Sequence, residues 1–81
     1  MDRNTAHSIT AETAALTSQA IAESKHSLAE VSRRTLIPYV SLHRKVNGVA
    51  DMSVRDLAAI SIAISKPFIE LLPRHLTKGN K

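Results

Sequence analysis

Two stop signals, Ile37-Pro38 and Asn47-Gly48, set how the middle of this chain can fold. A proline disfavours helical backbone at the residue before it, so a helix arriving from the N-terminal side must end by Ile37. The same proline is tolerated in the first turn of a new helix, where its missing N–H is not needed. Asn47-Gly48 then supplies the left-handed backbone on which that new helix closes. Any helix between the two signals is therefore short, running from about 38 to 46. Upstream, Ser27 with Glu30 three residues on forms a capping-box pattern. It opens a helix over about 27–35, with Leu28, Val31 and Ser32 inward and Arg33 and Arg34 at its end.

Comparable signals lie on both sides. Thr10 is expected to cap a first helix, with Glu12 in its opening turn and Leu16, Ala20 and Ile21 as its apolar stripe. Residues 1–9 then form a flexible arm. After a turn at VADM, Ser53 caps a fourth helix through Ile64; Lys66-Pro67 restarts the chain into a fifth, Phe68 to Leu72, and Pro73 ends it. Residues 74–81 form a basic, flexible tail. No segment alternates as a strand does. Apolar residues make up 43% of the chain but include one Phe and one Tyr, so the core must be aliphatic, which suits helices. The fold class expected is all-α, five helices in one compact domain over 10–73.

With 81 residues and no cysteine, this domain must be stable without disulfides or thiolate metal sites. The histidines, at 7, 26, 43 and 75, are never three or four apart, so no helical pair chelates a metal. No acid pair, nucleophile–base pair or glycine-rich phosphate loop is visible, so neither an enzyme nor a cofactor is expected. The most apolar run, LAAISIAI, is far short of the roughly 20 residues that span a bilayer. The opening MDRNTAHS carries no apolar signal segment, which points to the cytoplasm. At this length no second, ligand-sensing or self-cleaving domain is expected.

The charge is uneven. From Lys25 to Gly48 five basic residues face one acid, Glu30, while the rest of the chain balances. The whole net charge of +4 thus lies around the two short helices, as it would where one face meets a polyanion. At 100° per residue the helix over 38–46 turns Leu42 and Val46 inward and Val40 and Arg44 outward, with His43 and Asn47 beside them and Ser41 on the other flank. Tyr39 projects past the helix start, and Lys45 borders the core. Such a helix fits a DNA major groove: arginine reads guanine, histidine and serine take donors or acceptors, and valine meets a thymine methyl. By charge, Lys25, Arg33, Arg34 and Lys45 are candidate phosphate contacts.

SLAEVSRRTLIPYVSLHRKVNG resembles the helix-turn-helix of the phage lambda repressor and Cro family of DNA-binding regulators, and SVRDLAAISIAISKPFIELLP resembles the fourth- and fifth-helix region of the same domains. The likeness covers about residues 11–73. It implies that the helix over 27–35 braces on the DNA backbone while helix three enters the major groove. By position it places Tyr39, Val40, His43 and Arg44 at base contacts, and Ser27, Asn47 and the Gly48 amide at phosphates. It also implies a repressor of phage or prophage type, acting on double-stranded operator DNA in a bacterial host. An antitoxin-like protein-binding module and a recombination accessory factor are the alternatives. Two residues depart from the family. Leu36 stands at the turn's usual glycine, where left-handed backbone would cost roughly 1–2 kcal/mol, so the Ile37-Pro38 break is expected to shape the turn instead. Lys45 stands at a usual aliphatic. Related domains often pair through their fifth helices. Here Ile62, Ile69 and Leu72 are the expected outward aliphatics of a weak homodimer on a palindromic site.

Overall fold

A computed structural model describes residues 3–73, so the expected basic tail lies outside the described residues. The fold is all-α. It comprises α1 (Arg3–Ser24), α2 (Leu28–Thr35), α3 (Tyr39–Val46), α4 (Val54–Ile64) and a 3-10 helix (Phe68–Leu71), with no strand among the described residues. The shared core is aliphatic: Ile21 from α1, Val31 from α2, Leu42 and Val46 from α3, Leu57, Ile60 and Ile64 from α4, and Leu71. Helix α2 packs on α3 and α4, and α1 lies across α3, α4 and the 3-10 helix.

Helix α1 begins well before the Thr10 cap expected from sequence, so residues 3–9 are helical instead of a flexible arm. The physical reason is local: residues 3–24 contain neither proline nor glycine, and Thr10 is one more residue inside a continuous run. The buried stripe is also rotated. Ala20 and Ile21 are buried as expected, but Thr13, Ala14 and Thr17 share that face and Leu16 is only half-buried. The Thr17 hydroxyl is buried without a hydrogen-bond partner.

The next boundaries follow their caps. Ser27 opens α2 by accepting from the Glu30 N–H at 3.0 Å. The reciprocal half of the expected capping box is not made, because the Glu30 carboxylate has stronger partners four residues to either side. It binds His26 Nδ1 at 3.0 Å and Arg34 Nη2 at 2.9 Å. The complete box is on α4, where Ser53 accepts from the Asp56 N–H and Asp56 accepts from the Ser53 N–H. At the far end of α4, Ser65 takes left-handed backbone, and the Lys66 ammonium reaches Glu23 on α1 at 3.0 Å.

The expected fifth helix is a single 3-10 turn. Pro67 and Pro73 bracket too few residues for an α-helix, and Pro73 holds Leu72 extended (φ −103°, ψ 147°). The segment therefore closes with shorter bonds, Glu70 N–H to the Pro67 carbonyl and Leu72 N–H to the Ile69 carbonyl. This also removes Leu72 from the expected dimer face, because it packs against the core. Ile62 and Ile69 are exposed, at 79% and 56%.

Candidate nucleic-acid interface

The turn between α2 and α3 is built from side-chain hydroxyls. Thr35 donates to the Val31 carbonyl at 2.8 Å and accepts from the Ile37 N–H at 3.3 Å. Ser32 donates to the Ile37 carbonyl at 2.6 Å. These bonds seat Ile37 in the core, and the backbone reverses at Leu36, which adopts φ 64°, ψ 18°. The turn does not avoid left-handed leucine, as the sequence suggested; it uses it together with the proline break. Burial of Ile37 on one side and the required start of α3 on the other leave Leu36 no alternative, and its side chain is 87% exposed.

Pro38 stands at the N-cap of α3 and accepts the first helical bond, from the Leu42 N–H at 2.8 Å. Leu42 and Val46 are the only buried residues of α3. Tyr39, Val40, His43, Arg44 and Asn47 are exposed. Along one flank at four-residue spacing, the Tyr39 ring stacks on the His43 ring with centroids 6.2 Å apart. The Asn47 amide then donates to the His43 carbonyl at 2.7 Å. Arg44 stands beside this ladder with no ion pair or side-chain hydrogen bond among the described residues, a free guanidinium on the open face.

Other expected contact residues are placed differently. Ser41 is half-buried on the flank toward α4, in a groove also lined by Lys45 and Arg55, and does not share the open face with Arg44. Lys45 borders the core and is paired there. Its ammonium binds Asp56 Oδ2 at 2.7 Å, and both side chains are largely buried. Burial disfavours the charged form of Asp56, but hydrogen bonds from Lys45 and from the Ser53 backbone and hydroxyl outweigh it, holding the carboxyl below its usual range. Arg34 is engaged twice, with Glu30 and with the Ala63 carbonyl at 3.3 Å. Glu30 also titrates below the usual carboxylate range, chiefly through its hydrogen bond with His26. The Gly48 N–H, expected to face a phosphate, donates to the Lys45 carbonyl at 3.2 Å. Glycine is required there by its positive φ of 78°.

Lys25, Arg33, Arg44 and Arg55 are the exposed cations without an ion pair among the described side chains. Arg55 escaped the sequence reading. Its signal was its position: a cation in the first turn of α4 opposes the helix dipole, so helix stability does not account for it. Ser27, at the N-terminus of α2, is exposed.

No protein-family model, curated protein or solved structure matches this chain.

Proposed function

We propose that the chain is a sequence-specific double-stranded DNA-binding regulator of the lambda repressor and Cro kind, a repressor that blocks a promoter. In this reading α2, the Leu36 turn and α3 are its helix-turn-helix. One observation carries the reading: α3 spends two side chains on the core and turns Tyr39, Val40, His43 and an unpaired Arg44 to solvent. A major groove about 12 Å wide admits such a helix. Arg44 offers two parallel donors to guanine O6 and N7, His43 a donor or acceptor to its neighbour, and Val40 an apolar contact to a thymine methyl. Tyr39 reaches the edge of the same site from the first turn. The stacked Tyr39–His43 pair limits the rotamers of both rings before DNA arrives, so less freedom is lost on binding.

The N-terminus of α2 at Ser27 faces a phosphate, where its free N–H groups and dipole favour an anion. Lys25 and Arg33 add charge near the two ends of the same helix. Arg34 and Lys45 act from within: the Arg34 bond to the Ala63 carbonyl ties α2 to α4, and the Lys45–Asp56 pair ties α3 to α4. Self-pairing on a palindromic operator rests on Ile62 and Ile69 alone. Sedimentation with duplex tests it, and one chain per duplex at saturation removes it.

The direct test of the reading is selection from random duplexes, with the bound fraction sequenced. A defined motif should emerge, and affinity for it should fall steeply with salt as phosphate contacts release counterions. A bound pool as random as the input, or an affinity indifferent to salt, removes DNA as the ligand and favours a protein partner.

A further inference from the structure

Two residues near the turn are locally unfavourable, and they line one groove. Leu36 holds left-handed backbone, which a glycine would adopt without the clash of a side chain, yet its own side chain is exposed and contributes little to the core. Arg55 stands in the first turn of α4, against the helix dipole, with no ion pair among the described side chains to compensate. Neither choice serves the fold. Both face a groove of about 330 Å³ between the turn, α3 and the start of α4, with Pro38 and Ala59 adding apolar wall.

The electrostatics of this groove identify its occupant. Lys45 and Asp56 also line it, but they neutralise each other across 2.7 Å. The Asp56 carboxylate is turned to Lys45 and the Ser53 N–H through Oδ2, and no ion pair joins it to Arg55. The groove therefore presents apolar wall and one uncompensated positive charge. A second copy of the chain carries the same net charge of +4 and is repelled overall rather than drawn to Arg55. Duplex DNA would satisfy Arg55 but offers a hydrated phosphate where Leu36, Pro38 and Ala59 offer apolar surface. A peptide carrying a carboxylate beside an aliphatic or aromatic side chain satisfies both.

We propose that the groove bounded by Leu36 and Arg55 is a docking site for an acidic, apolar-anchored peptide segment of a partner protein, separate from the open face of α3. The anchor side chain lies between Leu36 and Ala59, and the carboxylate pairs with the Arg55 guanidinium. This surface goes beyond the DNA-binding reading and does not depend on it, since Arg44 takes no part. A chain with both surfaces could hold a nucleic acid and a protein at once.

The test is selection of a displayed random-peptide library on the full chain, followed by fluorescence polarisation with the enriched peptide. Enrichment of peptides that place Asp or Glu beside Leu, Ile or Phe is expected. Leu36→Gly should weaken the enriched peptide at least tenfold while melting no lower than the parent. Arg55→Glu should reverse the charge preference, so that a peptide with Lys in place of its acid binds better than the original. Arg44→Ala and saturating random-sequence duplex should leave peptide affinity unchanged. The proposal is overturned if no acid-plus-apolar pattern is enriched, or if Leu36→Gly binds like the parent. It is equally overturned if duplex displaces the peptide, which assigns the groove to DNA, or if sedimentation shows the groove occupied by a second copy.

Discussion

Helices α3 and α4 have sharp ends and one core-facing side each, but they use their residues in opposite ways. Of the eight residues of α3, only Leu42 and Val46 are buried. Helix α4 buries Leu57, Ile60, Ser61, Ala63 and Ile64 of its eleven and carries its own complete capping box. An eight-residue helix is far below the length that is stable alone in water, so α3 exists because α2 and α1 pack on it. A substitution therefore registers differently in the two helices. On α4 a substitution is a stability event. On the open face of α3 it should leave stability nearly unchanged, because those side chains are exposed, and under the proposed function it registers in DNA binding instead.

The largest effect is expected in α4. Ile60 is fully buried at the centre of the core, and Ile60→Ala should cost about 2–5 kcal/mol in urea unfolding, most of what so small a domain has. Val40→Ala, on the face of α3, should stay within about 0.5 kcal/mol of the parent. Similar midpoints for the two variants would erase the distinction between the helices.

Next comes the recognition side. Arg44→Ala should lower affinity for the selected duplex by about 1–3 kcal/mol and relax preference at one base pair, with an unchanged melting temperature. If affinity and preference both survive, α3 is not the reading element.

The joint between the two helices should show an intermediate effect on stability. Asp56→Ala removes both the cap bond to Ser53 and the ion pair to Lys45, an expected loss of about 1–2 kcal/mol. Because the folded carboxyl titrates below its unfolded value, the Asp56 contribution is fully present above the unfolded pKa, near 4, and is lost as pH falls through the folded pKa. The parent and Asp56→Ala should therefore converge in stability at low pH. A gap that persists at pH 2 would place the effect in packing rather than in the charge.

The smallest effect belongs to the turn that launches α3. Leu36→Gly removes strain of roughly 1–2 kcal/mol but adds freedom to the unfolded chain, so a gain under about 1 kcal/mol is expected. A loss of stability would mean that the exposed leucine contributes packing that its position does not suggest.

Most element boundaries in this chain were readable because their causes are local. Ser27 and Ser53 cap helices whose first N–H groups lie within three residues, Pro38 acts on its immediate neighbour, and Gly48 is needed for its own φ. The outward set of α3, Tyr39, Val40, His43 and Arg44, follows from helical periodicity once Leu42 and Val46 are taken as anchors. Where the reading failed, competition or distance decided. Thr10 has cap chemistry, but a cap works only if the chain before it leaves the helix, and nothing in residues 3–9 makes it leave. Glu30 fits a capping box, yet His26 and Arg34 at four-residue spacing take its carboxylate. Phe68 to Leu72 is apolar enough for a helix, but two prolines leave room only for a 3-10 turn.

Sequence alone thus determined the helical class, the two stop signals around α3 and the concentration of positive charge between Lys25 and Gly48, since each rests on residues a few positions apart. Tertiary structure decided which of those charges remain available. Lys45 is neutralised by an aspartate eleven residues away, Arg34 is held against the Ala63 carbonyl, and Arg44 has no partner among the described side chains. Only the packing of α2 on both α3 and α4 brings those partners within hydrogen-bond reach, and no local pattern encodes that distance.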